Sequence, residues 1–182
     1  MQVIGWMIFS FKIPSEPSSI RVRVWRNLKT MGVHYLQQSV CIFPTNEELI
    51  KKVKKLQLHI QENGGETSLL EIDKLSSSSE NEVIQSLNQE RIEEYKEFLK
   101  ESEKFLMEIE EETKEENFSF GEIEENEAAL ERLQKWLLKI QKRDFFQCEL
   151  QQQAVTRIEE CNSALDKFME KVYMFEGLRN KE

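Results

Sequence analysis

From about Glu80 to Phe175, apolar residues recur roughly every 3.5 positions on faces otherwise filled with Glu and Lys, and a chain so patterned folds as long amphipathic helices. Val83, Leu87, Tyr95, Phe98, Phe105 and Ile109 mark a first helix, and Asn117 to Gly121 breaks it. Ile123, Leu130, Leu133, Leu137 and Ile140 mark a second, and Leu150 to Phe175 carries a third stripe through Ile158, Leu165 and Phe168. Helices of this kind joined by short breaks bury their stripes against one another, as an antiparallel helical hairpin or a three-helix bundle. Residues 80–176 are therefore expected to be almost wholly helical.

The chain before Glu80 reads differently. Gly5 to Ile13 is rich in bulky apolar residues and stops at Pro14, the signature of a central strand. Ser18 or Ser19 is placed to N-cap a helix reaching about Thr30, with Ile20, Val24, Leu28 and Met31 on one face and Gly32 as its stop. His34 to Phe43 has the β-branched and aromatic content of one long strand or a tight strand pair. Thr45 and Glu48 then have the spacing of a capping box, before a helix whose stripe is Leu49, Val53, Leu56 and Ile60 and whose stop is Gly64-Gly65. Thr67 to Ile72 is a last strand. The order β-α-β-(β)-α-β implies an α+β fold with a ferredoxin-like split βαβ module over residues 1–75, helices on one face of a mainly antiparallel sheet. The serines 76–79 mark the boundary to a helical bundle over residues 76–182.

Charge divides at the same place. The formal net charge of −9 conceals a front end in which residues 1–60 hold nine Lys and Arg against three Asp and Glu. A basic module joined to an acidic one raises the question of a polyanionic partner. The three cysteines, Cys41, Cys148 and Cys161, have no close spacing, which argues against a disulfide framework or a zinc ribbon and for reduced thiols in a cytoplasmic protein. The apolar start from Val3 to Phe11 lacks the basic flank and cleavage site of a signal peptide, and no stretch has the roughly 18 apolar residues of a membrane span.

The basic face is where a partner would bind. On a wheel of 100° per residue, Arg21, Trp25, Arg26 and Lys29 lie opposite the apolar stripe of the first helix, with Arg23 on the same helix. Lys51, Lys54 and Lys55 likewise face away from the stripe of the second. Arg and Lys neutralise phosphates, and an exposed Trp stacks on a base or packs on a sugar, so these eight residues form a candidate DNA-binding surface. The competing reading is a solvated face, or one meeting the carboxylates of the acidic half within the chain or in a dimer. Catalytic candidates are poor: His34 and His59 are isolated, the acidic run from Glu108 to Glu116 reads as a solvated helix face, and no phosphate loop or zinc-protease motif is present. No catalytic residue, metal site or cofactor is expected. Asp144-Phe145-Phe146 reads as a cap for the following helix with a plug for the bundle's end.

Several stretches together resemble the ChrB family of chromate-responsive regulators. They are Trp6 to Ser10 with Pro14, Pro17 to Lys29, Tyr35 to Val40 with Pro44, Gly64-Gly65-Glu66, Asn88 with Arg91 and Glu94-Tyr95, and Asp144-Phe145-Phe146. The resemblance covers nearly the whole chain and corresponds to the family's N-terminal domain. It implies a transcriptional regulator linked to chromate resistance, a homodimer in which this region contributes double-stranded DNA binding. Full-length members carry a further C-terminal domain associated with the chromate response, and the sequence given ends at Glu182 before one, so an oxyanion effector is left without its expected sensor. The module is also similar to small CRISPR-associated nucleases, which place an aspartate at the end of the first strand. Phe11-Lys12-Ile13-Pro14 offers none, which disfavours metal-dependent cleavage. The rival from another class is a protein–protein adaptor whose acidic helices bind a partner and whose basic face is internal.

Overall fold

The computed structural model describes residues 5–179; Val3 and Ile4 of the apolar start lie outside them. It is mixed α+β, in the order β1 (Trp6–Lys12), α1 (Ser18–Met31), β2 (His34–Gln37), β3 (Val40–Pro44), α2 (Glu47–Glu62), β4 (Glu66–Ile72), α3 (Ser77–Lys114), α4 (Phe120–Gln141) and α5 (Gln151–Arg179). The four strands form one sheet in the order β2-β3-β1-β4, every neighbouring pair antiparallel. This is the ferredoxin-like arrangement expected. His34 to Phe43 resolves into a strand pair, β2 and β3, and beyond Ile72 the described residues contain no strand.

β1 explains the layering. It pairs on both edges, and its side chains alternate between two apolar faces. Met7 and Phe9 point with Cys41 and Phe43 into a core closed by Val24, Leu28, Val53 and Leu56 of α1 and α2. Trp6 and Ile8 point with Ile42 and Ile72 to the other side, where Val83 and Leu87 of α3 meet Phe145 and Phe146. The expectation of helices on one face is thus corrected, because the second face also carries buried apolar side chains. Trp6 is fully buried there, its indole N–H donates to Glu80 at 2.9 Å, and its ring lies 6.2 Å from that of Phe146.

That second face also determines where the compact units divide. One unit runs to Glu90 and takes in Arg143–Phe146, and the other comprises Arg91–Lys142 and the chain from Gln147. The division lies inside α3 rather than at the serine run, since the first turns of α3 are needed to bury Trp6 and Ile42. Asp144-Phe145-Phe146 belongs with the sheet for the same reason. Asp144 does not cap α5, which starts at Gln151, and the phenylalanines pack on the sheet instead of plugging the bundle.

Two caps also differ from expectation. The N-cap of α1 is Pro17, with Ser18 and Ser19 already helical, and no side chain caps it. At α2 the cap is Asn46, whose side chain accepts from the Leu49 N–H at 3.1 Å, while the Thr45 N–H is taken by the Gly5 carbonyl. The stop after α2 is as expected: Gly64 has φ +75°, and a Cβ on Gly65 would stand 2.5 Å from Ile60 Cγ2 and 2.6 Å from the Lys12 carbonyl.

The second unit is a three-helix bundle whose core draws on α3, α4 and α5 together. Phe98 meets Trp136 edge to face at 5.7 Å, and Gln134 donates to Asn162 at 2.9 Å. Asn126 Nδ2 donates to Glu112 Oε2 at 2.7 Å. Phe120 meets Tyr173 edge to face at 5.5 Å. In these pairs residue numbers rise along one helix as they fall along the next, so α4 runs antiparallel to both α3 and α5.

None of the three cysteines is in a disulfide, and all are buried. Burial pushes the Cys41 thiol up to about 12 and the Cys161 thiol up to about 11. Unfolded thiols ionise near about 8.5, so the neutral buried forms contribute stability that is complete below that pH and declines as pH rises toward about 12. Native protein at pH 8 should resist alkylation at Cys41 and Cys161, and added urea should expose both, as mass spectrometry would show. Gly65→Ala should cost about 1–3 kcal/mol in urea unfolding, the range for forced overpacking. Gly177→Ala, with nothing within 4 Å of its Cβ in a helix, should be neutral or stabilise by up to about 1 kcal/mol.

Candidate nucleic-acid interface

The site is built by two amphipathic helices lying side by side on the sheet. Each buries one stripe: Ile20, Val24, Leu28 and Met31 in α1, and Leu49, Val53, Leu56 and Ile60 in α2. Residues flanking a buried stripe are held at its edge, half in and half out, and here the flanks meet. Arg23, Asn27 and Thr30 of α1 face Lys52, Lys55 and His59 of α2 across an open groove of about 400 Å³, floored by Met31 and Leu56.

The polar atoms of the groove are ordered locally. Thr30 Oγ1 donates to the Asn27 carbonyl at 2.7 Å, and Asn27 Nδ2 donates to the Arg23 carbonyl at 2.8 Å. Lys52 Nζ lies 2.7 Å from Glu48 Oε1, one turn earlier. Among the described residues no carboxylate lines the groove. The Nε2 atom of His59 is buried and has no hydrogen-bond partner, while the His59 carbonyl accepts from Asn63 Nδ2 at 2.7 Å.

The eight expected residues fall into groups. Arg23 and Lys55 come together in the groove. Arg21, Trp25 and Lys29 form a second stripe along the opposite flank of α1, where Lys29 Nζ sits 5.2 Å from the Trp25 ring centroid and Arg21 donates to the Ser15 carbonyl at 3.0 Å. Trp25 is 51% exposed. Arg26 and Lys51 are exposed on the outward faces of their helices, and Lys54 is exposed toward the far flank of α2, where Gln57 reaches Thr67 of β4. Among the described residues, none of the eight is in an ion pair. Lys52, His59 and Asn27 went unassigned in the sequence. Their positions on the helical wheels were available, but which flank of α2 meets α1 depends on helix placement over the sheet.

A second concavity, in the bundle, has the opposite charge. Glu108, Glu112, Glu124 and Glu125 line it together with Asn126 and a single cation, Arg132. Burial, followed by the neighbouring Glu122 and Glu108, holds the Glu112 carboxyl above its ordinary value against the hydrogen bond from Asn126. No set of three or more potential metal ligands is gathered among the described residues.

A family model described as Protein ChrB, N-terminal, matches residues 21–178. No curated protein and no solved structure matches the chain. The match begins after β1 and spans α1 from Arg21, the groove, strands β2 to β4 and nearly all of the bundle.

The exposure of Trp25 beside Lys29 has a direct optical consequence. Iodide should quench part of the tryptophan emission more strongly than neutral acrylamide does, because the cations concentrate the anion there. Trp25→Phe should remove most of that quenchable part while Trp6, fully buried, goes on emitting.

Proposed function

We propose that this chain, which belongs to the ChrB N-terminal family, is a DNA-binding regulatory protein of chromate-resistance genes, acting as a cytoplasmic homodimer and binding rather than catalysing. The observation that carries the reading is the groove between α1 and α2. Cations from two helices converge there with no carboxylate of the described residues between them, and an exposed tryptophan stands with further cations on the other flank of α1.

Arg23, Lys52 and Lys55 would neutralise phosphates of one strand, and Arg21, Arg26 and Lys29 would extend the contact along the outer side of α1. Trp25, backed by Lys29, would stack on a base or pack on a sugar. Such a surface positions DNA through its backbone, and base discrimination would come from contacts added by dimerisation. The adaptor alternative requires the basic face to be occupied by acidic residues; among the described residues its cations hold no ion pair apart from Lys52 with Glu48.

Phosphate contacts make log affinity fall linearly with log salt, with a slope of about −0.9 per phosphate neutralised. Binding to a labelled duplex over a salt series should show such a slope. Arg23→Ala with Lys55→Ala should weaken binding similarly for unrelated duplexes and shallow the slope by about 2, and Arg26→Ala with Lys29→Ala should act the same way. The melting temperature should hardly move, since exposed charges contribute less than about 1 kcal/mol. A slope and affinity unchanged in both double variants would remove this surface from the function.

A further inference from the structure

The sheet has two outer edges, and they are built differently. β2 is four residues long, and its pairing with β3 slips at a bulge between Tyr35 and Gln37. Short, bulged edge strands resist further pairing. β4 carries neither device. It pairs with β1 in unbroken register over all seven of its residues, from Glu66 opposite Lys12 to Ile72 opposite Trp6, and contains no proline. Among the described residues, no backbone hydrogen bond reaches its outer side. Leu70, near its middle, is 56% exposed and joins neither apolar cluster of the sheet. A long, regular edge with a row of unpaired N–H and C=O groups and an exposed leucine is a template for another strand.

Resting on the homodimer reading above and giving it a contact, we propose that β4 pairs with β4 of a second copy, antiparallel across a two-fold axis, so that two four-stranded sheets become one of eight strands.

The residues of β4 single out a second copy as the occupant. Side chains alternate in face, so the layers stay aligned only when residues of one face meet residues of the same face. An axis through Leu69 satisfies this and leaves no residue of β4 without a counterpart. Leu69 then faces the partner's Leu69, Ser68 the partner's Leu70, Thr67 the partner's Glu71, and Glu66 the partner's Ile72. No like charges stand opposite each other. The two Leu70 side chains become diagonal neighbours, with Cα atoms about 7–8 Å apart and the side chains within reach, so each shields the other from water. At each end Glu66 comes beside the point where the partner's chain leaves the strand toward the partner's Lys74, an opposite charge. Other registers lose this match. Centring on Leu70 makes diagonal neighbours of the two Glu71 carboxylates, and centring on Ser68 sets Glu66 against the partner's Leu70. β4 is thus its own antiparallel complement in the one register that uses its whole length.

The axis is perpendicular to the sheet, so the α1–α2 grooves of both copies lie on the same side of the joined sheet, where one duplex can meet both. A single strand pair is a small contact, at the low end of specific interfaces below about 1,200 Å², so the dimer forms in a concentration-dependent way.

Sedimentation velocity of the full-length protein over a wide concentration range, without DNA, should show a monomer–dimer equilibrium. Leu70→Lys and Leu70→Glu should each weaken it by about tenfold or more, through lost leucine burial and like charges brought together. An equal mixture of the two variants should restore dimers, because the mixed pair sets lysine beside glutamate. Leu138→Lys, at a similarly exposed leucine of α4, should leave association unchanged. Hydrogen exchange gives a second measure on the unaltered protein: amides of β4 should gain protection as concentration rises, and those of β2 should not. A dimer that persists in both Leu70 variants, or concentration-dependent protection that falls outside β4, would overturn this contact and leave the homodimer and DNA readings standing. Loss of the dimer in each variant without recovery in the mixture would overturn the pairing as well. A protein that stays monomeric at every concentration would overturn the contact and the homodimer together, while the DNA surface would still be decided by its own salt series.

Discussion

β1 is hydrogen-bonded on both edges and apolar on both faces, and the rest of the first unit is arranged to satisfy it. A strand carrying Trp6 and Ile8 to one side and Met7 and Phe9 to the other stays out of water only between two layers. α1 and α2 provide one layer. The start of α3 and the Arg143–Phe146 segment provide the other, which is why a helix that begins after a serine run belongs at first to the sheet and only later to the bundle. Glu80 receives the Trp6 indole N–H, so the one polar atom of the largest buried side chain is satisfied by the element that covers it.

The same arrangement produces the groove. Two helices laid on one sheet face must each direct an apolar stripe downward, and the residues at the stripe edges then confront each other along the seam. With Arg23 on one edge and Lys52, Lys55 and His59 on the other, the seam becomes cationic without any loop or special backbone conformation. Rigid helices hold these groups, so little side-chain ordering remains to oppose binding beyond that of the long cations themselves. Opposite charge is gathered in the bundle, where Glu108, Glu112, Glu124 and Glu125 line a cleft and burial holds the Glu112 carboxyl above its ordinary value. The two halves thus carry distinct electrostatic roles within one chain of net charge −9.

The sequence by itself determined the element types and most of their bounds. Period-two and period-3.6 patterns are written in local residue order, and the stripes of α1, α2 and α4 are buried residue for residue as that order implies. It also determined which cations are exposed, because a charge opposite a buried stripe has nowhere else to go. Only the tertiary structure decided which exposed cations are neighbours. Arg23 and Lys55 are 32 positions apart and meet because two flanks of separate helices face each other, whereas Arg21 and Arg23, two apart, lie on opposite flanks of one helix. The place of Phe145 and Phe146 was decided in the same way: any apolar surface could have received them, and the uncovered face of the sheet did. Local pattern specifies what a residue must do with water, while the identity of its partners depends on contacts between segments that no local pattern encodes.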